Sequence, residues 1–288
     1  MKVLIFGAKG NLGQELVSVF AAAGHRVVAL DREDLDVLDT AALRRRILDE
    51  HADAILNAVA WNDVDGAEDP AKRPLAFKLN AEVPGVMAAA AAKTGALFVH
   101  YSTDYVFAGT KPEGYAEDDA PDPISAYGES KLAGEKAVWA ASGRLYICRL
   151  SKIFGRPGVS DLSKPSFVSI MLKLAATKPE LAIVDEEVGC PTYTRDIAAA
   201  TECLLARNFP PGIYHLVNAG PGVTWYGFAE EFFGLRGVQT PRKPVSAALF
   251  PKPAQRPKFA MLLNTKFPPL RQRLAALRDF FEANSDLV

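Results

Sequence analysis

Short runs of consecutive apolar residues alternate along this chain with longer stretches in which apolar positions recur every three to four residues. Runs of the first kind predict buried strands over Lys2 to Phe6, Arg26 to Leu30, Ala54 to Asn57, Ala96 to Tyr101 and Leu145 to Leu150. The second pattern predicts helices from the glycines after Phe6 to about Ala23, where Gly24 ends the helix, and then over Thr40 to Glu50, Pro74 to Lys93 and Ser125 to Ala141. Strict strand and helix alternation builds a parallel sheet covered on both faces. The expected fold class is therefore α/β, a doubly wound parallel sheet of the Rossmann type with a smaller C-terminal lobe. Residues 1–150 form the first half and 151–288 mainly the lobe, with some segments returning to the sheet. Leu181 to Val184 and Ile213 to Val217 fit either part, while Phe154 to Thr177 and Gly222 to Val288 are the main lobe segments.

Composition narrows the partners. The 288 residues are 49% apolar and 23% charged, ordinary globular material, and a formal net charge of −1 without a Lys/Arg cluster argues against nucleic acid. Three widely spaced cysteines, Cys148, Cys190 and Cys203, make neither a disulfide framework nor a metal-ligand pattern, and the four histidines are scattered. The chain opens on a strand-like Met1 to Phe6 with no charged leader or long apolar segment, so the expectation is a cytoplasmic protein with no membrane partner.

Three stretches carry chemistry. Gly7, Gly10 and Gly13 sit between a strand and a helix, where glycines permit a tight turn and the helix N-terminus can hold a pyrophosphate; Asn11 and Leu12 belong to the same loop. Asp31 ends the second strand, where a carboxylate would accept from an adenosine ribose and favour NAD. Arg32 beside it could meet a 2′-phosphate, which leaves NADH and NADPH both open. Asp36 and Val37 could flank the adenine, or serve equally as a surface acid and a core valine. Ser102, Thr103 and Asp104 lie where the fourth strand reaches the carboxyl edge of the sheet, the edge at which ligands bind in such folds. A hydroxyl there could bond the carbonyl oxygen that Tyr127 protonates, and Tyr127 and Lys131, four residues apart, share one helix face.

Together these residues give the chain its resemblance to the extended short-chain dehydrogenase/reductases, and within them to the dTDP-4-dehydrorhamnose reductase family. Further similar segments include Leu56 to Trp61, Val64-Asp65, Asn80, Lys131 to Glu135, Gly189 to Thr192, Trp225 to Ala229 and Arg256-Pro257. The resemblance implies reduction of the 4-keto group of a nucleotide-linked 6-deoxy sugar. It makes Tyr127 the proton donor, Thr103 the group that polarises the carbonyl, and Lys131 both the holder of the nicotinamide ribose and the charge that lowers the phenol pKa. Asn57, Ala58, Ala60 and Ser102 would line the cofactor, and Val64, Thr103, Asp104, Tyr105, Lys152 and Arg256 the substrate. A homodimer fits the family, as does a magnesium ion between subunits, with Glu15, Asp185 and Glu186 as oxygen ligands.

The chain departs from the family pattern at three positions. Lys152 stands where an aromatic is expected, Ala260 where a serine is expected and Leu263 where an aspartate is common. A lost aromatic removes a stacking face from a sugar pocket, whereas a lysine can grip a diphosphate. Two alternatives follow: a non-catalytic regulatory subunit that only binds nucleotide, or a different nucleotide-sugar reductase or epimerase.

Overall fold

The computed structural model describes residues 1–160 and 163–285. Strand β1 (Lys2–Phe6) leads through the glycine turn into α1 (Asn11–Ala22), and β2 (Arg26–Leu30), α2 (Thr40–Glu50) and β3 (Ala54–Asn57) follow as the apolar pattern predicts. The predicted helix over Pro74 to Lys93 is instead three pieces: α3 (Arg73–Phe77), a wide π turn (Lys78–Glu82) and α4 (Val83–Thr94). A π turn keeps the chain helical, so the apolar rhythm continues through it and conceals the break.

Strand β4 (Leu97–Thr103) runs two residues past the predicted Tyr101, which puts Ser102 and Thr103 on the strand itself. Helix α5 (Ala126–Ala140) starts one residue after Ser125, whose hydroxyl caps it by accepting from the Gly128 N–H. Strand β5 (Leu145–Leu150) closes the first half, and β6 (Ile153–Phe154), α6 (Phe167–Thr177), β7 (Leu181–Val184), β8 (Thr192–Tyr193), α7 (Thr194–Ala206), β9 (Gly212–His215), α8 (Trp225–Arg236), β10 (Arg242–Val245) and α9 (Arg273–Ala283) complete the chain.

The main sheet has the order β2-β1-β3-β4-β5-β9 and is parallel throughout. Strand alternation divides its core. Val3 and Ile5 pack under α1 and α7 with Leu12, Leu16, Phe20 and Ile197, while Leu4 and Phe6 pack under α2 and α4 with Leu43, Ile47 and Met87. The two segments that fitted either part separate: Gly212–His215 joins the sheet edge, and Leu181–Val184 pairs with Arg242–Val245 outside it. A third cluster, built from Phe154, Val168, Ile183, Tyr193, Phe228, Phe232 and Phe280, draws on segments from β6 to α9. Residues 161–162 and 286–288 of the expected lobe lie outside the described residues. Among the described residues no helix is long and apolar enough to cross a membrane.

The strand order reverses direction between β1 and β3. Loops leaving the carboxyl ends of those two strands therefore part and leave a crevice, the usual ligand position in an open α/β sheet.

Candidate active site

The glycine turn is shaped by close backbone contacts. Gly7 has φ +75°, and a Cβ there would stand 2.9 Å from the Ala58 carbonyl carbon, so the loops after β1 and β3 touch. A Cβ on Gly13 would stand 1.9 Å from the Gly7 oxygen, a distance no side chain tolerates. Gly10 is less crowded, with its nearest contact at 3.2 Å. Gly10→Val should consequently leave a folded chain whose NADPH affinity falls roughly tenfold or more, because the side chain meets the pyrophosphate rather than the protein. Calorimetry showing equal affinity for both chains would contradict it.

Two observations test whether these residues fit a dinucleotide. Asn11 Oδ1, in the turn, and Ser102 Oγ, on β4, are buried without a hydrogen-bond partner among the described residues. Orphaned buried polar atoms are costly unless a ligand satisfies them, so both suit a bound dinucleotide. Asp31 has a structural duty as well: one oxygen accepts the Lys9 N–H at 2.8 Å and the other the Arg32 N–H at 2.9 Å, which fastens the glycine turn to the end of β2. Arg32 is exposed. Asp36 accepts the Leu38 N–H on the surface while Val37 packs against the core. Asn57 turns inward, accepting the Val59 N–H at 3.1 Å and meeting His100 Nδ1 at 3.3 Å, and Ala58 and Ala60 follow it half-buried.

At the carboxyl edge Thr103, Asp104 and Tyr127 come together. Thr103 Oγ1 donates to Asp104 Oδ1 at 3.0 Å and accepts the Tyr105 N–H at 3.2 Å, and the same hydroxyl faces the Tyr127 phenol and restrains the rise that burial gives its pKa. The Tyr105 ring meets the Tyr127 ring edge-on at 5.6 Å, and Val64, Trp61 and Ala126 complete an apolar wall. Asp104 is buried, with its other oxygen accepting from the Ser151 hydroxyl at 2.6 Å, and burial lifts its carboxyl to about 6.

Of the two roles the resemblance implies for Lys131, lowering the phenol pKa is the one this site does not show. Burial raises the Tyr127 phenol above its ordinary value near 10, and the group that pulls it back is Thr103. Lys131 is itself brought down to about 8 by burial, and its ammonium is turned onto the Tyr101 carbonyl at 2.6 Å. Desolvation thus outweighs a charge that is tied back to the strand. His100, fully buried beside Lys131, is held well below its usual range first by burial and then by that lysine.

The remaining candidates are spoken for within the protein. The Lys152 backbone takes φ +43°; its ammonium donates to the Glu187 carbonyl and lies 4.0 Å from the centre of the Trp225 ring, so Trp225 supplies an aromatic face to the position that lost one. Arg256 grips Asp65 through two bonds, 3.1 and 2.8 Å, which ties the C-terminal segment to the loop after β3. Glu15 faces Arg195, Arg156 and Asp279, whereas Asp185 accepts from Thr224 and Glu186 accepts the Ala247 N–H. Those three carboxylates do not converge within the chain, and no group of three or more potential ligands occurs among the described residues.

Sequence reasoning missed Ser151, His100 and a buried ion pair between Arg149 and Glu135, because each depends on strand register rather than on a motif. Asn80 was legible as a matching residue but not in the work it does, which is to brace the loop after β3 against α5. From the π turn it accepts the Trp61 N–H, donates to the Trp61 carbonyl and bonds Ser130.

The family profile described as RmlD substrate binding domain matches residues 1–283. The chain belongs to the dTDP-4-dehydrorhamnose reductase family. A protein of that name from Burkholderia thailandensis is 38% identical over 280 residues, covering 92% of this chain and 91% of the relative. Another from Streptomyces griseus is 37% identical, covering 97% of this chain and 93% of its own length. Among solved structures, a dTDP-4-dehydrorhamnose reductase from Bacillus anthracis in complex with NADP superposes with a TM-score of 0.91 at 30% identity, covering 98% of this chain and 99% of that one. Membership in this family makes the chain an NAD(P)H-dependent oxidoreductase.

Proposed function

We propose that this protein reduces the 4-keto group of a dTDP-linked 6-deoxy sugar, dTDP-4-dehydrorhamnose being the expected substrate. The observation that carries the reading is the meeting of the Thr103 hydroxyl with the Tyr127 phenol one helical turn from Lys131, at the carboxyl edge of the sheet. When bound, the reduced dinucleotide supplies the hydride. Tyr127 holds the proton that the new alkoxide takes, and burial keeps the phenol protonated well above neutral pH. Thr103 orients the carbonyl oxygen, the Tyr105, Val64 and Trp61 wall excludes water, and the Lys131 ammonium provides a cation beside the ribose position. A purely regulatory role gains no support from a complete Tyr127, Lys131 and Thr103 set.

Cofactor choice follows from the end of β2. Asp31 presents a carboxylate to the ribose and opposes a 2′-phosphate, yet Lys9 and Arg32 flank it, and Lys9 is only loosely engaged, 3.2 Å from Glu33 on the surface. Surface charges of opposite sign offset one another in water. NADPH and NADH should both serve, with kcat/KM within about tenfold of each other; a ratio in the thousands would show that one residue decides alone. The test of function is oxidation of NADPH and NADH with a panel of 4-keto-6-deoxy sugars on dTDP. Failure to turn over any of them, with cofactor binding intact, would sink the proposal.

A further inference from the structure

Thr103 Oγ1 has one proton and two lone pairs, and the protein claims the proton and one lone pair, which leaves the second facing the Tyr127 phenol. Its O–H reaches Asp104 Oδ1, one lone pair takes the Tyr105 N–H, and the Tyr127 phenol faces the same oxygen. An ionised carboxylate only accepts, so a charged Asp104 pins the Thr103 proton to Oδ1. The second lone pair is then left for the phenol proton. Neither hydroxyl offers a proton to a ketone in that state.

Protonation of Asp104 reverses the pattern. Oδ2 is committed to the Ser151 hydroxyl at 2.6 Å, and the Ser151 oxygen accepts the Cys190 N–H at 3.0 Å, which holds the Ser151 proton on Oδ2. An added proton therefore resides on Oδ1, facing Thr103. From there it donates to Thr103 Oγ1 and fills the lone pair that the phenol used. The Thr103 and Tyr127 protons are then both released toward the substrate.

Resting on the site reading above, we propose that Asp104 is a positioning residue that sets the direction of the Thr103 hydroxyl, and that the ketone is polarised only while Oδ1 of Asp104 carries a proton. The influences on its proton divide by sign. Burial raises the Asp104 carboxyl to about 6, and the Ser151 and Thr103 hydroxyls and the Lys152 ammonium restrain the rise. Charged Asp104 in turn opposes ionisation of Tyr127 on α5, Tyr105 beside it and Cys190 opposite, while Glu187 and Arg256 act on the cluster through Tyr105. The proton is thus present below about pH 6 and lost above it.

The test is the pH dependence of kcat in wild type, Asp104→Asn and Thr103→Val, with the carboxyl followed independently by infrared titration. Wild-type kcat should fall by about tenfold per pH unit above the Asp104 titration, as for a rate requiring one proton. An asparagine places its amide N–H toward Thr103 and its carbonyl toward Ser151, copying the protonated form. Asp104→Asn should therefore lose that limb of the profile, whatever its absolute rate. Thr103→Val should be slower by roughly 10²-fold and lack the limb too. A flat wild-type profile, a limb that survives in Asp104→Asn, or an infrared titration of wild type with no carboxyl ionising near pH 6 would each overturn the inference. Full activity in Tyr127→Phe would remove it together with the site on which it rests, whereas a flat wild-type profile beside an inactive Tyr127→Phe removes it alone.

Discussion

Replacing Tyr127 with phenylalanine should lower kcat by roughly 10²–10⁴-fold, the range that a general acid contributes, and leave the fold and NADPH affinity in place. The substitution deletes one hydroxyl from a ring that is 8% exposed and packed edge-on against Tyr105, so the volume of the site is kept. The phenol faces a hydroxyl that already holds the Tyr105 N–H and Asp104, so its loss strands no buried donor there. KM for the sugar should change far less than kcat, because the lost bond matters when charge develops on the oxygen. Steady-state kinetics with thermal melting of both chains decides it. A phenylalanine variant within threefold of wild type would show that some other group delivers the proton.

Much of this arrangement was legible because it rests on local rules. The strand from Lys2 to Phe6, the three glycines and the Tyr127 and Lys131 spacing all follow from period and backbone sterics, and each stands where the pattern put it. What escaped depends on which strands lie side by side. β4 against β5 sets Thr103 opposite Leu150, which brings Ser151, the next residue, within reach of Asp104. No spacing rule links positions 104 and 151, so Asp104 read as a substrate contact while its partner went unnoticed. His100, on β4, faces α5 near Lys131, where burial holds it well below its usual range. The π turn was invisible for another reason: it shifts the hydrogen bonding by one residue without interrupting hydrophobicity. Its cause is visible in space, since α5 approaches so closely that a Cβ on Gly134 would stand 2.0 Å from the Asn80 oxygen.

Arg149→Ala should destabilise the protein by about 3–5 kcal/mol, the cost of leaving one partner of a buried ion pair uncompensated. Arg149 on β5 is 1% exposed and holds Glu135 of α5 through two bonds, 2.9 and 2.7 Å, with a third to the Glu117 carbonyl at 3.3 Å and its guanidinium over the Phe107 ring at 5.0 Å. Glu135 lies one turn after Lys131 on α5, so the pair fixes the helix that carries the proton donor onto the sheet that carries Thr103. Stability of a domain totals only about 5–15 kcal/mol, and a loss of this size is a large share of it. Urea unfolding should show the midpoint falling with the slope unchanged. Removing both charges is a different case: Arg149→Met with Glu135→Leu leaves neither partner of the pair stranded, and although buried Lys131 loses its neighbouring carboxylate, much of the stability should return. If the single and double replacements are equally unstable, packing around Phe107 rather than the stranded charge accounts for the loss. Should the double variant recover stability while kcat remains more than about tenfold low, the pair serves to set the distance from Tyr127 to Thr103 as well as to hold the fold.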